Sequence, residues 1–149
     1  MASRYGLQIR AASGADAPGL AELMDAAGHP VDIGTIGTRL EAFRQEAGVA
    51  LLALEWGPPS GLIVLNWYRT LNADLALAQI STLLVGPDDR RRGIGRMLLK
   101  AGAQAARSAG CGTLYISAMA GDPSLTAFSI ATGFSESGTF FERPLRKKG

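Results

Sequence analysis

Between Val85 and Leu99 the chain reads Val-Gly-Pro-Asp-Asp-Arg-Arg-Arg-Gly-Ile-Gly-Arg-Met-Leu-Leu, a run built to hold an anion. The apolar stretch Leu75 to Val85 stops at Gly86-Pro87. Two acids and three arginines follow, Gly93 and Gly95 turn the chain, and an amphipathic segment begins. A strand, a glycine turn and a helix start leave the first helical N–H groups without an intrahelical partner, and the helix dipole adds partial positive charge beside them. Glycines at 93 and 95 carry no Cβ where a phosphate would have to approach the backbone. Arg90, Arg91, Arg92 and Arg96 add guanidinium groups suited to phosphate oxygens, although arginines on a solvent face are the other reading of the side chains. Two familiar phosphate motifs do not fit. The dinucleotide fingerprint G-x-G-x-x-G meets Leu98 at its third glycine, and no G-x-x-x-x-G-K-[ST] string occurs.

The elements that must position this turn follow from periodicity. Leu7 and Ile9 alternate with Gln8 and Arg10 as a short strand, and Ser13 to Asp16 opens a helix carrying Leu20, Leu23 and Met24 on one face. Gly28-His29-Pro30 ends that helix. Ile33, Ile36, Leu40 and Phe43 then keep helical spacing from about Asp32 to Gln45. Residues 49–55 read as a buried strand, Gly57 to Gly61 as a hairpin-like turn, Leu62 to Tyr68 as the returning strand and Leu75 to Val85 as the next. After the glycine turn, Ile94, Met97, Leu98, Ala101 and Ala105 share a helix face that Gly110 terminates. Thr113 to Ala118 alternates as a strand. Asp122-Pro123 starts a short helix ending at Gly133, and Phe140 and Phe141 fall in a last strand. The predicted order is β-α-α-β-β-β-α-β-α-β: an α/β fold with a mixed, mostly antiparallel sheet flanked by helices.

Composition sets the frame. At 149 residues, 47% hydrophobic and 19% charged, residues 1–149 are expected to form a single domain with a real core. Net charge is only +2, which does not suggest a nucleic-acid binder. Its distribution says more: residues 86–100 carry +3 and residues 143–148 carry +4, leaving −5 for the remainder. The one cysteine, Cys111, rules out an internal disulfide and fits a reducing compartment. No secretory leader is evident at Met1 to Tyr5, and the apolar runs are too short to span a bilayer, so a cytoplasmic protein without membrane partners is expected. No His, Cys and carboxylate cluster has metal-ligand spacing, so no metal is expected.

The turn resembles motif A of the GNAT N-acetyltransferase superfamily, V-x-P-x-x-R-x-x-G-x-G before a leucine-rich helix, with Val85, Pro87, Arg90, Gly93, Gly95, Leu98 and Leu99 in place. The element order resembles that family over nearly the whole chain, and the motif-level likeness covers residues 79–134. The resemblance implies an acyltransferase that moves the acetyl group of acetyl-CoA directly to a primary amine of a small-molecule or peptide acceptor, without a covalent enzyme intermediate. Backbone amides from Arg90 through Arg91, Arg92, Gly93 and Ile94 to Gly95 would take the pyrophosphate, with Arg91, Arg92 and Arg96 adding side-chain contacts. Leu84 and Val85 would pair with the pantetheine amides as an added strand would, one strand amide facing the thioester oxygen. The family's second motif, aligned on Gly133-Phe134, puts Asp122 at its Asn, Leu125 at its Ala and Phe128 at its apolar position. Dimerisation is common in such folds, so a homodimer is compatible with the resemblance.

Two departures concern catalysis. Where relatives place a tyrosine that protonates the departing thiolate, this chain has Ser129, whose hydroxyl holds its proton too tightly for that and can only donate a hydrogen bond. The strand before the turn, Gln79 to Val85, carries no carboxylate where relatives place a glutamate base. A lysine-like amine (pKa about 10.4) is roughly one part in a thousand free base near neutrality, so base assistance has something to gain. A thiolate (pKa about 8.5) leaves more easily, and positioned acid or base groups supply about 10²–10⁴-fold, less than alignment of the reactants can. Glu55 and Tyr115 are candidate replacement groups, as are Tyr68 and Asp74. Each is also readable as a strand-edge or packing residue. His29 reads as a surface residue and Cys111 as buried and inert. Trp56, Trp67 and Tyr68 are either sheet packing or the lining of an acceptor pocket. Two rival readings remain: a CoA-binding sensor without catalysis, and an interaction domain using the basic turn for another anion.

Overall fold

Local chemistry fixes where each element begins. The computed structural model describes residues 6–90, 92–117 and 123–146. Strand β1 (Gln8–Ala11) leads through a 3-10 turn at Gly14–Asp16 into α1 (Ala17–Ala26), with Pro18 in the first helical turn. The Asp16 carboxylate holds this junction. It accepts both Arg10 terminal nitrogens, at 2.9 and 2.7 Å, and the Ser13 backbone N–H at 2.8 Å. The Arg10 hydrogen bond, ahead of the opposing cost of burial, keeps the Asp16 pKa below the usual 3.8. Helix α2 (Ile33–Phe43) starts at Asp32, whose carboxylate accepts the Thr35 N–H at 3.0 Å.

Strands β2 (Gly48–Leu54), β3 (Gly61–Tyr68) and β4 (Ala76–Val85) follow as a meander. Helix α3 (Ile94–Ser108) and β5 (Cys111–Ile116) complete the sheet in the order β1-β2-β3-β4-β5. The first three pairings are antiparallel, with Ile9 opposite Ala53, Leu52 opposite Leu62 and Ile63 opposite Leu83. Gly112 near the start of β5 lies against Leu75, the residue before β4, so these two neighbouring strands begin level. Side chains alternate between two covered faces, which is why β2, and β3 as far as Leu65, carry no polar side chain. Leu52 and Leu62 pack with Leu20, Leu23 and Ile36 under α1 and α2. Ile63 and Leu65 meet α3 on the other face.

Contacts divide the chain into Met1–Tyr115 and Ile116–Gly149. The second unit holds α4 (Pro123–Ala131), and Gly133 at φ 100° follows its end. The predicted final strand does not form: Phe140 and Phe141 lie in irregular backbone, 74% and 87% exposed. Adjacent residues of a strand point to opposite faces, so a single face could not have buried both rings. Gly138 at φ 134° breaks the extended backbone just before them. The predicted strand Thr113 to Ala118 is displaced to Cys111–Ile116, and Ala118 lies outside the described residues.

Helix α3 seats its first two turns on β3 because Gly61 has no side chain. A Cβ there would stand 2.8 Å from Leu98 Cδ1, 3.0 Å from Ile94 Cγ2 and 3.1 Å from the Leu84 carbonyl oxygen. Gly61→Ala should therefore cost about 1–3 kcal/mol in urea unfolding, since a backbone carbonyl cannot rotate away as a side chain can. Unchanged stability would mean that the helix start is not held by this contact. The Asp16 interaction has its own signature. A depressed pKa stabilises fully above 3.8 and is lost as pH falls through the lower folded value. Thermal unfolding between pH 5 and pH 2 should show that loss in the wild-type chain, and Asp16→Asn should remove it.

Candidate functional site

The end of β4 is irregular in a way that bears on binding. Leu65 pairs with Ile80 but Val64 pairs with Thr82, so Ser81 is an extra residue, a β-bulge. Ser81 Oγ donates to Asn66 Oδ1 at 3.0 Å across the strand pair. Strand β5 has six residues against ten for β4 and starts level with it, so it ends before β4 does. On the side away from β3, the last residues of β4, including Leu84 and Val85, extend past β5. A ligand carrying amide groups can add to such an edge.

The chain then turns in a fixed shape. Gly86 N–H donates to the Ser60 carbonyl at 2.9 Å, and Ser60 N–H donates to the Ala53 carbonyl at 2.9 Å, tying the turn's start to the ends of β2 and β3. Pro87–Asp89 forms a 3-10 turn and Arg90 is extended. Gly93 caps α3 with φ 79° and ψ 11°, left-handed backbone that glycine adopts at no steric cost. The first bond of the helix runs from Met97 N–H to the Gly93 carbonyl at 3.0 Å, so the amides of Ile94, Gly95 and Arg96 have no intrahelical acceptor. A Cβ built on Gly93 meets nothing within 4 Å, so the space above the cap is open to a ligand.

Arg92, next to the cap, is held by two carboxylates. Its Nη1 donates to Asp89 Oδ1 at 2.8 Å and its Nη2 to Glu55 Oε1 at 2.5 Å. The Glu55 hydrogen bond is the main reason its pKa stands above the usual value, with Asp89 adding to it. Two residues treated separately on sequence, Arg92 as a phosphate contact and Glu55 as a replacement base, are thus brought together. Nothing in the sequence signals a pair 37 positions apart. Arg90 and Arg96 are exposed on the same turn, and Arg91 lies outside the described residues.

The other candidates fall elsewhere. Tyr115 is on β5 and 36% exposed. In the second unit, Ser129 is buried and its Oγ donates to the Leu125 carbonyl one turn back at 2.8 Å, while Phe128 is half-buried on the same helix. Asp122 lies outside the described residues. Cys111 is free and half-buried, and burial pushes its thiol pKa up against the opposing pull of Arg69, so little thiolate forms at neutral pH. His29 is exposed beyond the end of α1. Among the described residues no group of His, Cys and carboxylates is arranged to hold a metal, and no helix is long and apolar enough to cross a membrane. A shallow groove along α1 and the start of α2, lined by Pro18, Ala21, Glu22, Asp25, Val31 and Ile33, contains none of the candidate residues.

Comparison with known proteins defines the class. Residues 20–134 match the family described as acetyltransferase (GNAT), and the chain belongs to that family. An Agrobacterium tumefaciens str. C58 protein assigned as an acetyltransferase has a similar structure, with TM-score 0.81 and 26% identity over 92% of this chain and 99% of its own. The fold is shared with the aminoglycoside acetyltransferase meta-AAC0020 from an uncultured soil sample, in complex with sisomicin, with TM-score 0.77 and 20% identity over 95% of this chain and 97% of that one. It is shared also with glucosamine-6-phosphate N-acetyltransferase from Arabidopsis thaliana, with TM-score 0.80 and 15% identity over 94% and 99% of the two chains. No curated protein matches the sequence significantly. The family generally uses acetyl-CoA as its acetyl donor.

Two substitutions separate the conformation of Gly93 from the space above it. Asn tolerates left-handed backbone, so Gly93→Asn should keep the fold while placing a side chain over the cap. Gly93→Ala adds about 1–2 kcal/mol of backbone strain with a smaller obstruction. CoA affinity in titration calorimetry should fall at least tenfold in Gly93→Asn, with its melting temperature near that of the wild type. Full affinity in a folded Gly93→Asn chain would move the ligand away from this cap.

Proposed function

We propose that the protein transfers the acetyl group of acetyl-CoA directly to a primary amine on a small-molecule or peptide acceptor, residues 1–149 acting as one domain. The observation that carries this reading is the open left-handed cap at Gly93, set on the motif Val85 to Gly95 of an acetyltransferase family. In this reading the N–H groups of Gly93, Ile94, Gly95 and Arg96 receive the diphosphate, where the helix dipole favours negative charge. Arg90, Arg91 and Arg96 supply the surrounding positive charge. The exposed backbone edge at Leu84 and Val85 aligns the pantetheine arm, and an N–H of this edge faces the thioester oxygen. The free amine's nitrogen adds to the thioester carbonyl, and the C–S bond breaks as the tetrahedral oxyanion collapses. The nitrogen gives up its extra proton to solvent, and the thiolate product takes up a proton from solvent. Members that act on sugar amines and aminoglycosides share the fold, which supports a small amine as acceptor.

Neither acid nor base is required from the family's usual positions. Ser129 directs its hydroxyl hydrogen to the Leu125 carbonyl, and Glu55 is engaged by Arg92. The same two observations favour a second reading, a CoA-binding sensor in which catalysis has been lost. Calorimetric titration with acetyl-CoA, followed by thiol release across an amine panel, separates the two. The transferase binds and releases thiol only with amine. The sensor binds and releases none. Without a base from the chain, release should rise about tenfold per pH unit between pH 7 and pH 9 for a lysine-like acceptor, following its free-base fraction. A flat profile over that range would mean that a side chain takes the proton.

A further inference from the structure

Glu55 stands just beyond the end of β2, and its side chain is only 14% exposed although it carries a charge. Among the described residues its hydrogen-bonding partner is Arg92, 43% exposed, the residue immediately before the Gly93 cap. Of the two carboxylates holding Arg92, Asp89 belongs to the turn itself and Glu55 directly follows the last residue of β2. Glu55 therefore ties the turn to the scaffold. A guanidinium fixed at two of its planar donors by two separate carboxylates has little freedom left to rotate. The backbone that follows it, including the Gly93 N–H, inherits that restriction.

We propose that Glu55 is a positioning residue for donor binding: acting through Arg92, it holds the turn so that the amides after Gly93 converge on the diphosphate. The inference rests on the donor reading above, and it assigns Glu55 no contact with either substrate. It also carries a sign that simple electrostatics would reverse. Removing a carboxylate beside a phosphate site raises the local positive potential and should tighten anion binding. Loss of positioning should weaken it.

The test is a double-mutant cycle on the full chain with Glu55→Gln, Arg92→Gln and the pair together, read by CoA calorimetry at fixed ionic strength. Glu55→Gln, nearly isosteric, should weaken CoA binding roughly 5- to 20-fold. The KM for acetyl-CoA should rise in step, while the amine KM and the kcat at saturating donor hold. In the Arg92→Gln background the same substitution should change the affinity less than about twofold. Unchanged or tighter CoA binding in Glu55→Gln would overturn the proposal. So would an equal loss in both backgrounds, which would give Glu55 a role independent of Arg92. A fall in kcat of about 10²-fold with CoA affinity intact would instead make Glu55 a base. Failure of the wild-type chain to bind CoA would overturn the donor reading itself, and this inference with it.

Discussion

The close approach of α3 to β3 is the constraint on which the site depends. Ile94 and Leu98, both buried, rest where Gly61 offers no side chain, so the helix begins directly against the end of the sheet. That placement leaves a short span between Val85 and Ile94 for the chain to leave β4, reverse and enter the helix. Gly86 is fixed to Ser60, Pro87–Asp89 coils once, and Gly93 makes the final reversal with left-handed backbone. The amides of Ile94, Gly95 and Arg96 then have no intrahelical acceptor, and the space over the Gly93 cap is open. The proposed anion site is thus a consequence of how the core is packed, and the arginines around it would add charge to a geometry already made by backbone.

This division of labour explains how family chemistry can persist on altered side chains. Acyl transfer from a thioester gains most from aligning two reactants and from dipoles facing the thioester oxygen, and both can be supplied by main chain. Acid and base groups modulate the rate by smaller factors. In the proposed reading, a chain that keeps Val85, Pro87, Gly93 and Gly95 while carrying Ser129 and a carboxylate-free β4 would keep the backbone part of the machinery.

The sequence made the fold legible where period and glycine chemistry agree. The meander of β2, β3 and β4 follows from apolar runs separated by turn residues, and the start of α3 from the glycine pattern. The buried face of α3, Ile94, Leu98, Leu99, Gly102 and Ala106, is rotated slightly from the one that hydropathy predicts. Gly102, buried against Ile63 and Leu65, has no hydropathy to announce it, whereas Met97 and Ala105 are only half-buried. The bulge at Ser81 was invisible because its residue resembles its neighbours in type, and only the register against β3 exposes it. The Glu55–Arg92 pair depends on two segments meeting at one end of the sheet, which no local pattern encodes. Phe140 and Phe141 misled because aromatic content favours strands only when a partner strand exists to pack them.

The most direct test of the account is amide chemical-shift mapping of the ¹⁵N-labelled chain during titration with CoA. The account predicts the largest shifts at Gly93, Ile94, Gly95 and Arg96, with a second group at Leu84 and Val85. Tight binding that left the Gly93 to Arg96 amides unmoved would contradict it, because the diphosphate would then be held somewhere other than the start of α3.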